Sequence, residues 1–256
     1  MKDFLYKIIN EAGQIALDQA RRLDSIEVTH KSRRDIVTQA DIAVEDYLVA
    51  QIKKRYPSHA ILGEESGSHS GSEYRWIIDP IDGTLSYFRN HRYYSISIAV
   101  EKEGQTVLGA VFAPALDELF IAEKGRGAFL NGKPVSVSTE TELADCILAT
   151  GFACLRDNVY DNTPYFAEII PKITDIRRCG SAALDMCYTA CGRFDGFWEL
   201  NLNIYDLAAG KLIAEEAGAR VSDFSGEPVS DYKEIVCTNS LIHGKLVDIL
   251  KRVKNA

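Results

Sequence analysis

The most informative stretch of the sequence is Trp76-Ile77-Ile78-Asp79-Pro80-Ile81-Asp82-Gly83-Thr84. Its apolar start predicts a strand, which runs into two carboxylates three residues apart, Asp79 and Asp82. The proline between them stiffens the turn and removes one backbone donor. If a helix begins at the following Gly-Thr pair, its N-terminus faces whatever the carboxylates hold, which suits an anion such as phosphate.

Two carboxylates this close repel each other unless a cation lies between them. Hard divalent ions such as Mg²⁺ prefer carboxylate, backbone carbonyl and water oxygens, and the carbonyl of Ile81 is placed to be a third such oxygen. A bound metal reverses the local charge, polarises a phosphate ester and lowers the pKa of a water nucleophile. This stretch alone leaves one alternative open, a turn in which Asp79 and Asp82 only cap the backbone.

Two other segments add carboxylates. Gly63-Glu64-Glu65-Ser66-Gly67 follows a short apolar strand, and Asp206 opens the apolar helix within Leu202–Gly210. Taken separately, the first could be a solvated acidic loop and the second a helix cap. Together with the Asp79–Asp82 pair, they predict one acidic, metal-binding site for phosphate-ester chemistry. No P-loop is present, which argues against nucleoside triphosphates as substrates.

The composition excludes several classes of protein. The 256 residues carry a formal charge of −8, with 46% apolar and 26% charged residues, as in an ordinary folded globular protein and not a disordered one. No apolar run approaches the roughly 18 residues that a membrane helix needs. The negative charge argues against general nucleic-acid binding. Because the N-terminus lacks the apolar stretch of a signal peptide, we expect a cytoplasmic protein.

The residue pattern up to about residue 140 predicts two helices and an antiparallel meander. Apolar residues at spacings of three and four predict the first helix around Phe4–Ala16. Asp41 is expected to cap a second helix that ends at Arg55, before Pro57. The expected strands are Ala60–Gly63, Arg75–Asp79, one from Tyr93 onward, Val107–Ala113 and Glu118–Glu123, followed by a hairpin turn at Asn131-Gly132.

The rest of the chain alternates strands and helices, which predicts a sheet covered by helices. The expected elements include strands at Cys146–Thr150, Ile173–Arg177, Phe194–Leu200, Ala219–Asp223 and Ile235–Thr238, and helices within Tyr160–Pro171 and at Ser181–Cys191, Tyr205–Ala217 and Ser240–Val253. No Pro-, Gly- or Ser-rich linker separates the two halves, 1–140 and 141–256. We therefore expect residues 1–256 to form a single compact unit with the acidic site between the halves.

The order and spacing of these segments resemble the inositol monophosphatase family of metal-dependent, lithium-sensitive phosphatases. The resemblance covers nearly the whole chain, and the Asp-Pro-Ile-Asp-Gly-Thr string is highly specific for the superfamily. It implies a layered α-β-α-β-α sandwich of the type shared with fructose-1,6-bisphosphatase, and a homodimer. The segments that carry it are Asp35-Ile36-Val37-Thr38 with Asp41, Gly63–Ser66, Trp76–Thr84, Gly180-Ser181-Ala182-Ala183, Glu199 and Tyr205–Gly210.

The resemblance implies two to three Mg²⁺ ions in each active site. Glu64, Asp79 and the carbonyl of Ile81 would bind one ion, and Asp79, Asp82 and Asp206 would bind a second. Glu64 would also help to hold a third, weaker ion through water. The metal ligands implied by the resemblance are therefore all oxygen atoms, as Mg²⁺ requires.

The resemblance also implies the catalytic and phosphate-binding groups. Thr84 with Glu64 would orient and activate the attacking water. Asp82 would act through the metal that it binds and would lie near the alcohol part of the substrate. The N–H groups of Gly83 and Thr84 would hold the phosphate. No covalent phospho-enzyme is needed for such a reaction.

Further positions match substrate contacts and supporting residues. Ala182 and Glu199 match positions that contact the alcohol part of the substrate. Lys31 lies where the family often has a mobile basic residue near the active site. The positions that match a supporting segment behind the metal site are Asp35, Thr38 and Asp41.

The chain departs from the family pattern beside the substrate pocket. Many members continue the motif with Thr-Asn-Phe, where this chain has Leu85-Ser86-Tyr87, and Tyr205 stands where a Trp is usual. The Lys-Glu-Phe continuation expected for 3′-phosphoadenosine phosphatases is missing, and Leu85 replaces the Arg of many histidinol phosphatases. We therefore expect a Mg²⁺-dependent phosphomonoesterase for myo-inositol monophosphates, which could also accept related sugar phosphates.

Several alternatives remain open at this point. The same chemistry could act on fructose 1,6-bisphosphate, a 3′-phosphoadenosine nucleotide or histidinol phosphate. Arg89, His91 and Arg92 could contact a second phosphate, although a solvated charged face is the favoured interpretation. A non-enzymatic regulatory protein on this fold would be expected to have lost a metal ligand, and none is lost here. The expected partner is thus a small phosphorylated substrate, with neither nucleic acid nor membrane.

Overall fold

The computed structural model describes residues 1–21, 28–32, 35–152 and 160–255, with the backbone alone in 28–32 and 35–37. Its helices are α1 (Lys2–Ala20), α2 (Gln39–Arg55), α3 (Thr84–Phe88), α4 (Thr163–Ile169), α5 (Ala182–Ala190), α6 (Ile204–Glu216) and α7 (His243–Lys254). Its strands are β1 (Val28–Ser32), β2 (Asp35–Thr38), β3 (Ala60–Gly63), β4 (Gly67–His69), β5 (Tyr74–Asp82), β6 (Ser95–Lys102), β7 (Gln105–Ala113), β8 (Glu118–Glu123), β9 (Ala128–Leu130), β10 (Lys133–Pro134), β11 (Ile147–Thr150), β12 (Asp175–Arg177), β13 (Gly196–Leu200), β14 (Arg220–Ser222) and β15 (Glu234–Thr238). Within these ranges, no helix has the length and apolar character needed to span a bilayer.

The larger sheet has eight strands in the order β10-β9-β8-β7-β6-β5-β3-β4. Neighbouring strands from β5 to β10 are antiparallel, so the expected meander is confirmed. The strands β3 and β5 are parallel, with Gly63 opposite Ile78. Because parallel strands end at the same edge of a sheet, the residues that follow these two positions, Glu64 and Asp79, lie side by side.

The smaller sheet has five strands in the order β12-β11-β13-β15-β14. The strand β11 is parallel to both β12 and β13, whereas β15 is antiparallel to β13 and β14. The sequence predicted a helix-covered sheet here, and that prediction is confirmed. A two-stranded antiparallel ribbon of β1 and β2 lies outside both sheets.

Helices and sheets alternate in five layers. The helices α1 and α2 pack on the outer face of the larger sheet, where Leu5 and Leu48 join Trp76 in one apolar core. The helices α5 and α6 contact strands of both sheets and form the central layer. The helices α4 and α7 cover the outer face of the smaller sheet. This is the layered α-β-α-β-α sandwich that the resemblance implied; that the two halves form a single compact unit stays a prediction.

The strand β5 is longer than the sequence predicted, since it continues through Pro80 to Asp82 instead of ending at Asp79. Its register against β6 shifts there, because Asp79 pairs with Ser97 and Asp82 pairs with Ser95. A span of three residues on β5 therefore lies opposite a span of two residues on β6, which is a β-bulge. A bulge can accommodate a proline, because proline has no N–H group to donate to the neighbouring strand. Residues three apart on a regular strand face opposite sides of the sheet. The bulge lets Asp79 and Asp82 reach the same site.

Candidate metal and phosphate site

Three predicted metal ligands converge at the end of β5. Asp79, Asp82 and Asp206 each contribute a carboxylate oxygen, and these oxygens all lie within 4.8 Å of one another. Asp206 is the third residue of α6, and its Oδ2 accepts the backbone N–H of Asn203 at 2.6 Å. The sequence left a helix cap open as the alternative role of Asp206, but Asn203 holds the capping position and Asp206 reaches back to it. This bond fixes the direction in which the Asp206 carboxylate points.

Asp79 lies at the centre of the acidic group. Its side chain is 1% exposed, and Oδ1 has no hydrogen-bond partner within the part of the chain that the structure describes. Burial holds the pKa of Asp79 well above its usual range, and the charges of Glu64, Asp82 and Asp206 raise it further. A buried oxygen without a donor is costly, and carboxylates crowded together repel. These residues fit a divalent cation, because it would satisfy the oxygen and cancel the repulsion.

The other two predicted metal ligands lie beside this group. The carboxylate of Glu64 is outside the tight group of three, yet its charge helps to raise the pKa of Asp79. The backbone N–H of Glu64 donates to the carbonyl of Ile78 at 3.2 Å and so extends the pairing of β3 with β5. The carbonyl of Ile81 accepts a hydrogen bond from the Thr84 hydroxyl at 3.1 Å. Both groups therefore lie at the edge of the acidic site.

Thr84 is connected to the interior through Asp41. Its hydroxyl lies 3.2 Å from Oδ1 of Asp41, so its single proton is shared between that oxygen and the Ile81 carbonyl. The Asp41 Oδ2 accepts the backbone N–H of Thr38 at 2.8 Å and the Thr38 hydroxyl at 2.6 Å. Burial raises the pKa of Asp41 to about 6, although the bonds from Thr38 act in the opposite direction. Asp41 thus aligns the Thr84 hydroxyl.

The sequence placed the N-terminal cap of α2 at Asp41, three residues later than the structure does. The helix begins at Gln39, with Thr38 as its N-terminal cap, and Asp41 is the third helical residue. A carboxylate at that position reaches back to the cap, which leaves its other oxygen for a contact outside the helix. Asp35 and Lys31 lie in β2 and β1, and their side chains are outside the described part of the structure.

Asp82 is held by the N-terminus of α5. Its Oδ2 accepts the Ser181 hydroxyl at 2.7 Å and the backbone N–H of Ala183 at 2.8 Å. The Ser181 oxygen in turn lies 3.1 Å from the Ser95 hydroxyl and accepts the N–H of Leu184 at 3.3 Å. Ser181 is the N-terminal cap of α5, and its bond to Asp82 was not foreseen from the sequence. These contacts tie a carboxylate on the larger sheet to the helix between the sheets.

Gly83 brings the segment before α5 close to the predicted phosphate position. Its φ is +97°, and a Cβ atom there would lie 2.9 Å from the carbonyl oxygen of Gly180. Only glycine tolerates both the positive φ and the close approach of the Gly180 carbonyl. The N–H groups of Gly83 and Thr84 precede the first bond within α3, since Tyr87 is the residue that bonds to the Gly83 carbonyl. Phosphate binding by these N–H groups stays a prediction.

The predicted contacts to the substrate alcohol lie on α5 and β13. Ala182 is the first residue of α5, and Glu199 is a buried residue of β13 whose carboxylate packs against the α-carbon of Gly151. Asp185 lies behind them, buried in α5, and accepts the hydroxyl of Tyr93 at 2.8 Å. Burial holds the pKa of Asp185 well above its usual range. The sequence analysis missed Asp185, although an aspartate within an apolar helix was a signal.

The residues that follow the motif lie at the surface. Arg89, His91 and Arg92 are exposed, and the guanidinium of Arg89 lies 5.4 Å from the centre of the Phe88 ring. Leu85, the first departure from the family pattern, is 59% exposed. This exposure agrees with a solvated charged face.

Comparison with known proteins decides the family. A sequence profile described as the inositol monophosphatase family matches residues 1–255. The chain belongs to the inositol monophosphatase family. The resemblance read from the acidic motifs is thereby confirmed, and the family is shown across nearly the whole chain.

Relatives within the inositol monophosphatase family carry two kinds of name. The protein named Nus factor SuhB from Pseudomonas aeruginosa is 41% identical in an alignment of 234 positions that covers 88% of this chain and 86% of that protein. The inositol-1-monophosphatase of Mesorhizobium japonicum is 36% identical in an alignment of 260 positions that covers 97% of this chain and 98% of that protein. The solved structure of the Thermotoga maritima IMPase matches with a TM-score of 0.90 and 35% identity, over 99% of this chain and 97% of that one.

Proposed function

We propose that the protein is a Mg²⁺-dependent phosphomonoesterase that hydrolyses myo-inositol monophosphates, and related sugar phosphates, to the free alcohol and phosphate. The observation that carries this proposal is the buried Oδ1 of Asp79, which lies among converging carboxylates and has no hydrogen-bond partner among the described residues. Such a group is costly to keep unless a cation binds there. The name of the Mesorhizobium relative supports the choice of substrate.

The residues that would hold the metal ions are those named by the resemblance. Glu64, Asp79 and the carbonyl of Ile81 would hold one Mg²⁺, and Asp79, Asp82 and Asp206 a second. Glu64 would help to hold a third through water. When bound, Mg²⁺ lowers the pKa of water and offsets the negative charge of the phosphate ester.

Thr84 and Asp41 would direct the attacking water. When Asp41 is ionised, its Oδ1 accepts the Thr84 proton, and the Thr84 oxygen is left to accept a proton from water. Because burial raises the pKa of Asp41 to about 6, half of the molecules have this arrangement near pH 6, and the fraction increases as the pH rises. Glu64 would accept the second proton of the same water. Together these groups would point a lone pair of the water at phosphorus.

The alcohol of the substrate would lie beside α5 and β13. The Glu199 carboxylate can accept hydrogen bonds from the hydroxyl groups of a polyol, and Ala182 leaves room for its ring. Asp82, fixed by Ser181 and the N–H of Ala183, would lie near the leaving oxygen. This side of the site would choose the substrate, because the chemistry on the other side is the same for any monoester.

A substrate panel with Mg²⁺ or with EDTA tests the proposal. The panel comprises inositol 1-phosphate, fructose 1,6-bisphosphate, 3′-phosphoadenosine 5′-phosphate and histidinol phosphate. We expect phosphate release only with Mg²⁺, fastest for inositol 1-phosphate, and inhibition by Li⁺. Asp82→Asn should abolish turnover, whereas Asp46→Asn, at an exposed position of α2, should not. Preference for the nucleotide would contradict the proposed substrate, and an active Asp82→Asn enzyme would contradict the metal role.

A regulatory binding role is the second candidate. It is favoured by the name Nus factor SuhB of the Pseudomonas relative. The two roles can coexist, since the metal ligands are all present in this chain. A protein that binds Mg²⁺ but releases no phosphate from any of the four compounds would favour this role. We also propose that the protein is a homodimer, which light scattering of the purified chain checks.

A further inference from the structure

Glu45 is a buried carboxylate that the sequence analysis did not assign. It lies on α2, one turn after Asp41, and is 2% exposed. Its neighbours along the same face of the helix are the apolar residues Val44 and Leu48. A charged residue in such a place is costly unless it makes compensating hydrogen bonds. Its partners therefore indicate what it does.

Both oxygens of Glu45 bind the loop that carries Glu64. Oε2 accepts the backbone N–H of Glu65 at 3.0 Å, and Oε1 accepts the backbone N–H of Ser66 at 2.6 Å. Glu64 itself is fixed on its other side by the bond from its N–H to the carbonyl of Ile78. The backbone of Glu64 is thus anchored to β5 before it and to α2 after it.

Gly63 makes this contact sterically feasible. It is the last residue of β3, and its α-carbon packs directly against the Glu45 carboxylate. A Cβ atom on Gly63 would overlap that carboxylate. The glycine before Glu64 and the glutamate on α2 therefore act as a matched pair.

We propose that Glu45 is a positioning residue that orients Glu64 toward the divalent cation and so sets the affinity of the site for Mg²⁺. This inference rests on the proposed metal-dependent function. Fixing the backbone of a loop residue in advance spares the conformational entropy that the loop would otherwise lose when the cation binds. Outer partners that orient metal ligands typically change metal affinity by about 10- to 100-fold.

The test compares Glu45→Gln with Asp46→Asn. The two substitutions remove the same charge from neighbouring positions of α2, but Asp46 is exposed and Glu45 is not. The Gln side chain keeps the shape of Glu and has only one acceptor oxygen, so its NH₂ group would face one of the two loop N–H groups. One bond to the loop is therefore lost with little change in packing.

Titration calorimetry of the metal-free proteins with Mg²⁺ gives the primary result. We expect the dissociation constant of Glu45→Gln to rise about 10-fold or more, by analogy with other outer partners of metal ligands, and that of Asp46→Asn to match the wild type. The Mg²⁺ concentration for half-maximal activity should rise by the same factor, while kcat at saturating Mg²⁺ recovers. A general loss of structure would instead lower kcat at every Mg²⁺ concentration.

Two results would overturn the inference. One is a Glu45→Gln protein that binds Mg²⁺ as tightly as the wild type; the other is lost kcat with unchanged affinity. If Glu45→Gln does not fold, Glu45→Asp provides the second variant, since it keeps the charge but is too short to reach both N–H groups, and the same loss of affinity is expected. A wild-type protein that binds no Mg²⁺ would refute the proposed function itself, which separates the two failures.

Discussion

The strand β5 has buried carboxylates near both of its ends, and the two ends differ in the charges that surround those carboxylates. At its start, Arg75 lies opposite Glu101 of β6, and the guanidinium donates twice to Oε2 of Glu101, at 2.5 and 2.9 Å. At its other end, Asp79 and Asp82 meet Asp206, and the charges that most affect Asp79 are all carboxylates. Both ends lie on the paired strands β5 and β6, and the carboxylates at both ends are buried. The ends differ in the charge beside the carboxylate, which is a guanidinium at Glu101 and other carboxylates at Asp79.

This difference separates a structural charge from a functional one. Glu101 is neutralised by its own protein, so it needs nothing from solution. Asp79 keeps an oxygen without a donor, at a cost that the fold must offset elsewhere. Functional sites commonly carry such a cost, because the binding of a ligand recovers it. The end at Asp79, which we call the acidic end of β5, is therefore the end expected to bind a cation.

The largest effect is expected from Asp79→Asn at the acidic end. Loss of this charge should lower kcat/KM by about a thousandfold or more, since metal binding supplies several kcal/mol of transition-state stabilisation. The metal-free variant should unfold at a higher temperature than the metal-free wild type at pH 8, because a costly buried charge is gone. Phosphate release and thermal melts measure both quantities. A variant that loses stability without metal would contradict the comparison.

Mg²⁺ should stabilise the protein only through the acidic end. At a Mg²⁺ concentration of 100 Kd, the free energy of unfolding is expected to rise by about 2.7 kcal/mol for one site. Urea unfolding with and without Mg²⁺ measures this change, which Asp79→Asn should lose and Glu101→Gln should keep. Equal stabilisation of both variants would show that the cation binds elsewhere.

The stability of the metal-free protein should depend on pH through Asp41. Its pKa in the folded protein is raised from 3.8 to about 6, so the folded state holds a proton that the unfolded state has released. This contribution is present at pH 4 and is lost as the pH rises through 6, which amounts to about 1.4 kcal/mol between pH 5 and pH 7.5. Urea unfolding of the wild type at the two pH values, relative to Asp41→Asn, isolates it. A difference of the opposite sign would contradict the burial of Asp41.

The smallest effect is expected at the paired end. Glu101→Gln should cost about 1 kcal/mol or less, because Arg75 is 44% exposed and solvent weakens the ion pair. The dissociation constant for Mg²⁺ should not change. Urea unfolding and calorimetry of this variant check the two statements. A weakened Mg²⁺ affinity would mean that the two ends of β5 are not independent.

The sequence predicted much of the site because its parts are local. Apolar runs that end in carboxylates placed Glu64 and Asp79 at strand ends, and the parallel pairing of β3 with β5 brings them together. The sequence also placed Asp206 at the start of an apolar helix, although the capping residue of that helix is Asn203. Short-range patterns of this kind are fixed by backbone chemistry, so they can be read without the tertiary structure.

The bulge in β5 was not predictable from its sequence pattern. A proline indicates only that a strand cannot continue its regular ladder. Whether the strand ends at Asp79 or bulges and continues depends on the partner strand β6, which supplies Ser97 and Ser95 as the pairing residues. The sequence analysis ended the strand at Asp79 and so could not explain how Asp82 reaches the same site.

Glu45 and Asp185 were missed because their contacts are long-range. Glu45 bonds to residues about twenty positions later, and Asp185 bonds to Tyr93 on another layer of the fold. Each carried a signal that was not used, namely a carboxylate on the apolar face of a helix. Because an unpaired buried charge is rarely tolerated, such a residue predicts a polar partner even when it cannot identify the partner.

The most direct test of the central claim is an anomalous difference map from crystals of the wild-type protein soaked in Mn²⁺, an ion that takes the same oxygen ligands as Mg²⁺. The acidic end of β5 is expected to show a peak within coordination distance of the carboxylates of Asp79, Asp82 and Asp206. The paired end, at Glu101, is expected to show none. A map without a peak at Asp79, or with a protein cation filling that position, would contradict the claim that this end takes its positive charge from solution.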